Sequence, residues 1–176
     1  GLAGMQISIN VSPLQIRDPN LVGNILAALN KARIATEQIE IELTETSVFE
    51  SPQRARVTLN RMRDAGLSIA MDDFGTGYTS LGQLADLPMD VVKIDRSFVI
   101  AMGTSERSRA IIESVINMAH ALKLRVIAEG VETNEQLALL AGLGCNEIQG
   151  YLISRPLPAS DITDFLQQQD QQQLSA

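Results

Sequence analysis

Two adjacent aspartates, Asp72 and Asp73, end an apolar run and precede a glycine-rich loop in the stretch SIAMDDFGTGYTS. Carboxylates side by side at the end of a buried strand repel each other, so the pair needs a compensating positive charge. A divalent cation would supply it, because oxygen-only ligand sets suit hard ions such as Mg²⁺ or Mn²⁺. Considered alone, such a pair is more often a helix cap or a solvated turn.

Five further polar side chains stand at the ends of other β-rich runs: Asn10, Glu42, Lys93, Glu129 and Gln149. Each has a structural alternative by itself. Asn10 suits an ordinary turn, Glu42 can face solvent, and Lys93 can pair with a neighbouring aspartate. The coincidence of polar groups at six strand ends, rather than any single residue, favours a functional site.

The residue types at these ends fit chemistry on a phosphate ester. Two cations about 3.5–4 Å apart, sharing a carboxylate of the aspartate pair, would clamp a phosphoryl group and activate a water for in-line attack. Lys93 would stabilise the negative charge that develops on the phosphate, and Glu129 would accept a proton from the water. The glycines of the loop allow a tight turn close to a ligand.

The elements that must position these groups alternate between strand and helix. The β-rich runs cover residues 5–10, 39–43, 67–73, 91–95, 125–130 and 147–153, with helical patterns between them. Strict alternation predicts a parallel sheet, and polar groups at every carboxyl end are typical of TIM-type (β/α)8 barrels. An open doubly wound sheet instead gathers ligands at one switch point. We predict an α/β TIM-type barrel with about six of eight βα units present, and expect the other strands before Gly1.

The helical patterns have recognisable boundaries. We predict helices over residues 21–33, 52–65, 81–87 and 105–122, a helix after Thr133, and a last one over 161–166. Ser51 is expected to cap a helix that begins at Pro52, Gly66 to end that helix, and Thr133 with Gln136 to form a capping box. The polar residues 167–176 are expected to be a frayed tail after a domain that spans residues 1–166.

Composition narrows the class of protein further. The 176 residues are 45% hydrophobic, which is enough for one core, and carry a net charge of -7 with only four Phe and two Tyr. An acidic chain with few aromatic side chains argues against a DNA-binding surface. We find no apolar run of the roughly 18 residues that span a membrane. The single cysteine, Cys145, fits a reducing cytoplasm, and a parent protein anchored at the inner membrane is compatible with that location.

The segments SINVS, ELTET, MDDFGTGYTS, VVKIDRSF, VIAEGVET and IQGYLISRPLP follow one another from about Met5 to Pro158. This series resembles the EAL domain, a family of bacterial cyclic di-GMP phosphodiesterases. The resemblance implies a TIM-type barrel that hydrolyses cyclic di-GMP to linear pGpG with Mg²⁺ or Mn²⁺, calcium being inhibitory. It also implies a homodimer and a sensor or diguanylate-cyclase-like domain upstream in the parent chain.

The resemblance also implies a role for each matching residue. The expected metal ligands are Asn10, Glu42, Asp72 and Asp73. The expected catalytic residues are Lys93, near the attacking water and the phosphate, and Glu129, the general base. The expected substrate contacts are Glu132, Gln149 and Pro156, and Glu45 is expected to stabilise the loop after Asp73.

The chain departs from the family pattern at one important point, because it contains no Glu-Ala-Leu triplet. In the family this signature lies on the first barrel strand, where its Glu binds metal, so the resemblance implies an N-terminally truncated domain. We therefore expect weak or no activity from the chain as given. Two alternatives stay open: a non-catalytic cyclic di-GMP receptor that signals through a partner, and another metal-dependent barrel enzyme that acts on small acids.

Overall fold

Six short strands form one sheet in a computed structural model of the protein, which describes residues 5–75 and 81–173. The strands are β1 (Ile7–Asn10), β2 (Ile39–Thr44), β3 (Ser68–Phe74), β4 (Val91–Ile94), β5 (Arg125–Glu129) and β6 (Glu147–Gln149). Strands that are consecutive in sequence are neighbours in the sheet, and every pair is parallel. All six predicted strands are confirmed.

Helices alternate with these strands. They are α1 (Leu21–Ala32), α2 (Glu45–Phe49), α3 (Pro52–Asp64), α4 (Leu81–Ala85), α5 (Arg96–Ala101), α6 (Glu106–Ala121), α7 (Asn134–Gly142) and α8 (Ala159–Gln173). The arrangement is half of a parallel β/α barrel, which confirms the predicted fold class. Within the described residues, β1 and β6 each pair on one side only. No helix in the described part of the chain is both long enough and apolar enough to cross a membrane.

The two faces of the sheet have different chemistry. Ile39, Ile41 and Leu43 of β2 belong to the buried apolar core, whereas Glu40 and Glu42, which alternate with them, lie on the opposite face because successive side chains of a strand point in opposite directions. The helices cover the apolar face with stripes of buried residues at helical spacing, such as Ile112, Ile116 and Ala119 of α6. Burying each large aliphatic side chain contributes about 1.5–3 kcal/mol. Because the helices cover the apolar face, the opposite, polar face is the concave, inner side of the half-barrel.

The predicted helix boundaries at α3 and α7 are largely confirmed. Thr133 accepts a hydrogen bond from the backbone N–H of Gln136, whose side chain accepts from the N–H of Thr133, which is the expected capping box. Gly66 follows α3 with a left-handed φ of 85°. Ser51 precedes Pro52 as expected, but its side chain forms no capping hydrogen bond, so Pro52 with its fixed φ starts this helix without one.

The end of the sixth strand and the length of the last helix differ from the prediction. β6 ends at Gln149 instead of residue 153, because Gly150 packs on the backbone of Val131 and the N–H of Leu152 donates to the Val131 carbonyl at 3.0 Å. The chain turns there instead of extending. The last helix reaches Gln173 instead of residue 166, because glutamine is a good helix former, so residues 167–173 do not form the expected frayed tail.

The sequence pattern does not predict the short helices α2 and α5, which follow directly after β2 and β4. Thr44 caps α2 by accepting a hydrogen bond from the N–H of Ser47, and Asp95 caps α5 by accepting from the N–H of Ser97 at 3.0 Å. Each cap turns the chain at the carboxyl end of its strand. As a result Glu45 and Arg96, the first residues of the two helices, stay close to that end of the sheet.

Candidate functional site

The parallel register brings the predicted site residues to one edge of the sheet. Asn10 pairs with Glu42, and Glu129 pairs with Gln149. Asp72 lies beside Thr44, two residues beyond Glu42. The carboxyl ends of all six strands therefore meet at one edge.

Lys93 of β4 lies at the centre of this edge. Its Nζ is 2.6 Å from Oε1 of Glu42, 2.6 Å from Oε1 of Glu129 and 3.6 Å from Oδ1 of Asp72. Lys93 is only 2% exposed, so its charge is tolerated because carboxylates from three other strands surround it. Among the described residues its ion pairs are these three, and neither Asp90 nor Asp95 is a partner.

The surrounding charges shift the proton affinities of both Lys93 and Glu129. Burial by itself would lower the pKa of Lys93, but hydrogen bonds with Glu129 and Glu42 and the charges of Glu129 and Asp72 outweigh burial and raise it. The pKa of Glu129 is also raised, first by burial and then by repulsion from Asp72 and Glu42, against the lowering effect of Lys93. Lys93 therefore stays protonated at neutral pH, and Glu129 has the increased proton affinity that a general base needs.

Three carboxylates form a compact group beside Lys93. One oxygen from each of Asp72, Asp73 and Glu129 lies within 4.8 Å of the other two. In a regular strand two consecutive side chains point to opposite faces. β3 avoids this because its pairing with β4 shifts register between Met71 and Phe74 and because Asp73 adopts a left-handed φ of 55°. The irregularity turns both adjacent carboxylates toward one site.

These residues fit a divalent cation. Burial raises the pKa of Asp73, the charges of Asp72 and Asp95 raise it further, and Lys93 opposes them. A carboxylate crowded in this way gains most from a bound cation, and oxygen donors suit Mg²⁺ or Mn²⁺. Asp72 and Asp73 would hold the ion, and Glu129, predicted as the base, has an oxygen within 4.8 Å of both carboxylates.

The other two predicted metal ligands lie beside this group. Glu42 is buried and contacts Lys93. Asn10 ends β1 in the position next to Glu42, and its side chain is exposed.

Glu45 contacts the start of the loop that follows Asp73. Its Oε2 accepts a hydrogen bond of 3.4 Å from the N–H of Gly75, and Glu45 is buried. Gly75 has a φ of 97°, and a Cβ at this position would lie 3.0 Å from the Phe98 ring. The loop start is thus held between α2 and α5.

The predicted substrate contacts line two adjoining cavities beside Glu129. The first, of about 170 Å³, is lined by Glu129, Glu132 and Gln149 together with Arg96 and Tyr151. The second, of about 380 Å³, contains Pro156 and shares Gln149 and Tyr151 with the first.

Three residues at these cavities are absent from the sequence predictions: Arg96, Tyr151 and Arg155. Arg155 stacks on the Tyr151 ring with its guanidinium carbon 4.9 Å from the ring centre. Their positions in the chain give a usable signal, since Arg96 follows Lys93 by three residues and Tyr151 follows Gln149 by two. A flat aromatic and guanidinium surface next to carboxylates suits a nucleobase.

Comparison with known proteins agrees with this geometry. The model of the family described as the EAL domain matches residues 2–156. NbdA of Pseudomonas aeruginosa, a cyclic di-GMP phosphodiesterase, is 40% identical over 92% of this chain and 21% of its own length. The chain spans about a fifth of the length of the first curated relatives it matches.

Two solved structures extend the comparison. The MucR phosphodiesterase from the same organism, in complex with c-di-GMP, superposes with a TM-score of 0.89 at 36% identity, covering 92% of this chain and 66% of that one. MucR is named a bifunctional diguanylate cyclase and cyclic di-GMP phosphodiesterase. BlrP1 of Klebsiella pneumoniae, solved with c-di-GMP and either calcium or manganese, gives TM-scores of 0.83 and 0.82 at 36% identity over 88% of this chain and 40% of BlrP1.

Proposed function

Because the chain belongs to the EAL domain family, we propose that it hydrolyses cyclic di-GMP to linear pGpG with Mg²⁺ or Mn²⁺ at a two-metal site. The observation that carries this proposal is the buried Lys93, held by Glu42 and Glu129 next to the Asp72–Asp73 pair. Hydrolysis of a phosphodiester needs positive charge to stabilise the phosphate and carboxylates to bind metal ions and accept a proton, and four strands supply these groups at one edge.

The side chains divide the reaction between them. Asp72 and Asp73, with Asn10 and Glu42 beside them, would hold the divalent cations, which would supply Lewis-acid polarisation of the phosphate. Glu129, whose pKa is raised by burial, accepts the proton of the attacking water. Lys93 donates a hydrogen bond to the phosphate oxygen on which negative charge develops. The water oxygen forms a bond to phosphorus, the bond from phosphorus to one ribose oxygen breaks, and that oxygen takes up a proton from solvent as the ring opens to the linear dinucleotide.

The cavities beside Glu129 are proposed to hold the nucleotide. Glu132 and Gln149 offer a carboxylate and an amide to the polar edge of a guanine, and Pro156 lies in the adjoining cavity. Glu45 is proposed to keep the loop after Asp73 in place through Gly75. The proposed assembly is a cytoplasmic homodimer in which a sensor or cyclase-like domain precedes this domain.

The decisive experiment measures pGpG formation from cyclic di-GMP with Mg²⁺ or Mn²⁺. It uses the 176-residue chain and a version extended by the first strand and signature segment of the domain. We expect turnover in the extended version, little in the shorter chain, and none after Asp72→Ala in either. The proposal fails if the extended version binds cyclic di-GMP by calorimetry but never cleaves it, a result that would establish the receptor function instead.

A further inference from the structure

A second charged cluster lies on the concave face, at the opposite, amino-terminal end of the strands. Its centre is Glu40 of β2, which is 2% exposed. Ser8 of β1 donates to its Oε1 at 3.2 Å, and Ser68 of β3 donates to its Oε2 at 3.3 Å. Arg125 of β5 approaches the same Oε2 at 3.4 Å and binds Oε1 of Glu147 on β6 at 2.5 Å. We call these five residues the amino-end cluster.

The contact between Glu40 and Arg125 skips two strands, since β3 and β4 lie between β2 and β5. Three strand spacings in a flat sheet amount to about 14 Å. The two side chains meet because the sheet curves, so the ion pair bridges the concave face. The backbone adds to this connection, because the N–H of Arg125 donates to the carbonyl of Asp90 at 3.0 Å, and Oδ2 of Asp90 accepts from the N–H of Ile69.

β2 and β5 are also joined at their carboxyl ends. Glu42 follows Glu40 by two residues on one face of β2, and Glu129 follows Arg125 by four on one face of β5. Lys93 joins Glu42 to Glu129 with two contacts of 2.6 Å. The Glu40–Arg125 contact and the Lys93 bridge are thus only about 7–14 Å apart along β2 and β5. Because the strands are rigid, a change in strand spacing at one of these contacts also changes the spacing at the other.

We propose that Arg125 is a positioning residue for the candidate active site: by clamping β2 to β5 it fixes the spacing of Glu42 and Glu129 around Lys93. The catalytic consequence rests on the proposed function, whereas the geometric consequence does not. Arg125 can bridge because its planar guanidinium reaches two carboxylates at once, which a lysine ammonium does not reproduce. The rival explanation is that the amino-end cluster only stabilises the fold, as the amino-terminal face of such barrels commonly does.

The test compares Arg125→Met with the unsubstituted 176-residue chain. It uses two readouts that a purely structural role would leave unchanged. The first is the ¹H–¹⁵N signal of the Lys93 ammonium, which is simple to assign because the chain has three lysines. The second is Mn²⁺ affinity, followed by the electron paramagnetic resonance of free Mn²⁺. We expect the Lys93 signal to shift or exchange faster, and Mn²⁺ binding to weaken about three- to tenfold.

Arg63→Met is the matched control. Arg63 and Arg125 line one cavity at the amino ends of the strands, but the Arg63 guanidinium donates to Asn60 within its own helix. It removes the same charge and should leave both readouts unchanged. If Arg125→Met does not fold, Arg125→Lys keeps the charge without the double contact and is expected to change both readouts to a smaller extent.

The proposal is overturned if a folded Arg125 variant melts at a lower temperature while the Lys93 signal and the Mn²⁺ affinity match those of Arg63→Met. Its failure is distinguishable from failure of the proposed function. A Lys93 signal that responds to Arg125 in a protein that never cleaves cyclic di-GMP would retain the positioning role and reject the hydrolase. Normal turnover with an unaltered Lys93 signal in Arg125→Met would retain the hydrolase and reject the positioning role.

Discussion

Asp73 has a conformation and a charge environment that both oppose stability. Its φ of 55° is uncommon for a residue other than glycine, and burial together with Asp72 and Asp95 raises its pKa. The strain allows consecutive carboxylates to share one site, as described for the bulged end of β3. Position 73 therefore serves the candidate metal centre at a cost to the stability of the metal-free protein.

Asp73→Asn is expected to make the metal-free protein more stable at pH 7 by about 0.5–1 kcal/mol, because asparagine tolerates a left-handed φ and carries no charge. Since the folded-state pKa of Asp73 is raised from its usual 3.8, the repulsion develops as the pH rises through that higher value. The gain should thus shrink as the pH falls toward 3.8. Urea unfolding at pH 7 and pH 4.5, with and without Mn²⁺, measures it.

The exposed Asp86→Asn serves as the control for this comparison. It should alter the free energy of unfolding little and leave any stabilisation by Mn²⁺ intact, whereas Asp73→Asn should reduce that stabilisation. Equal stabilities of the two variants at pH 7 would contradict the assignment of repulsion to Asp73.

The segments that follow β5 and β6 are packed backbone against backbone. A Cβ on Gly150 would lie 2.2 Å from the carbonyl oxygen and 2.4 Å from the nitrogen of Val131. The N–H of Val131 donates to the carbonyl of Gln149 at 3.1 Å. This contact places Gln149 and Tyr151 along the cavity beside Glu129.

Gly150→Ala is expected to lower the free energy of unfolding by about 1–3 kcal/mol, because rigid backbone cannot move aside for the added methyl group. It should also weaken the proposed binding of cyclic di-GMP, since Gln149 would shift. Gly23→Ala is the matched control, because a Cβ there meets nothing within 4 Å. Replacing this glycine inside α1 should raise the free energy of unfolding by about 0.5–1 kcal/mol. Chemical denaturation and calorimetry measure both effects, and similar stabilities of the two variants would refute this account.

The strands, the longer helices and the residues at the strand ends were predictable, because the signals are local, whereas the short helices α2 and α5 were not predicted. Alternating apolar runs and turn residues place Glu42, Lys93 and Glu129 at strand ends, and parallel pairing then brings those ends together. The bulge that turns Asp73 was not predictable, since it depends on how β3 pairs with β4. The early end of β6 has the same kind of cause, because it depends on Val131, nineteen residues before Gly150 in sequence.

At the scale of the whole molecule, the open sheet is the main structural feature. β1 has one unpaired edge among the described residues, and its Ile7 and Ile9 are 45% and 41% exposed. Apolar side chains beside free backbone donors and acceptors favour pairing with another chain.

Ile9→Lys is therefore expected to reduce concentration-dependent association of the 176-residue chain in sedimentation velocity experiments, because a charged side chain disfavours edge-to-edge pairing. Val57→Lys on α3 is the matched control, since Val57 is 62% exposed but lies away from the strand edges. Association that responds equally to both substitutions would reflect general surface hydrophobicity instead of the edge.

The open edge of β1 also carries Asn10, which lies next to Glu42 at the rim of the sheet. Any strand that docks beside β1 arrives next to the proposed ions and can contribute an oxygen to them or withhold one. Docking of that strand and completion of the coordination shell would then be a single event. Under the proposed function, loss of a strand from this edge would therefore remove a metal ligand and lower activity together.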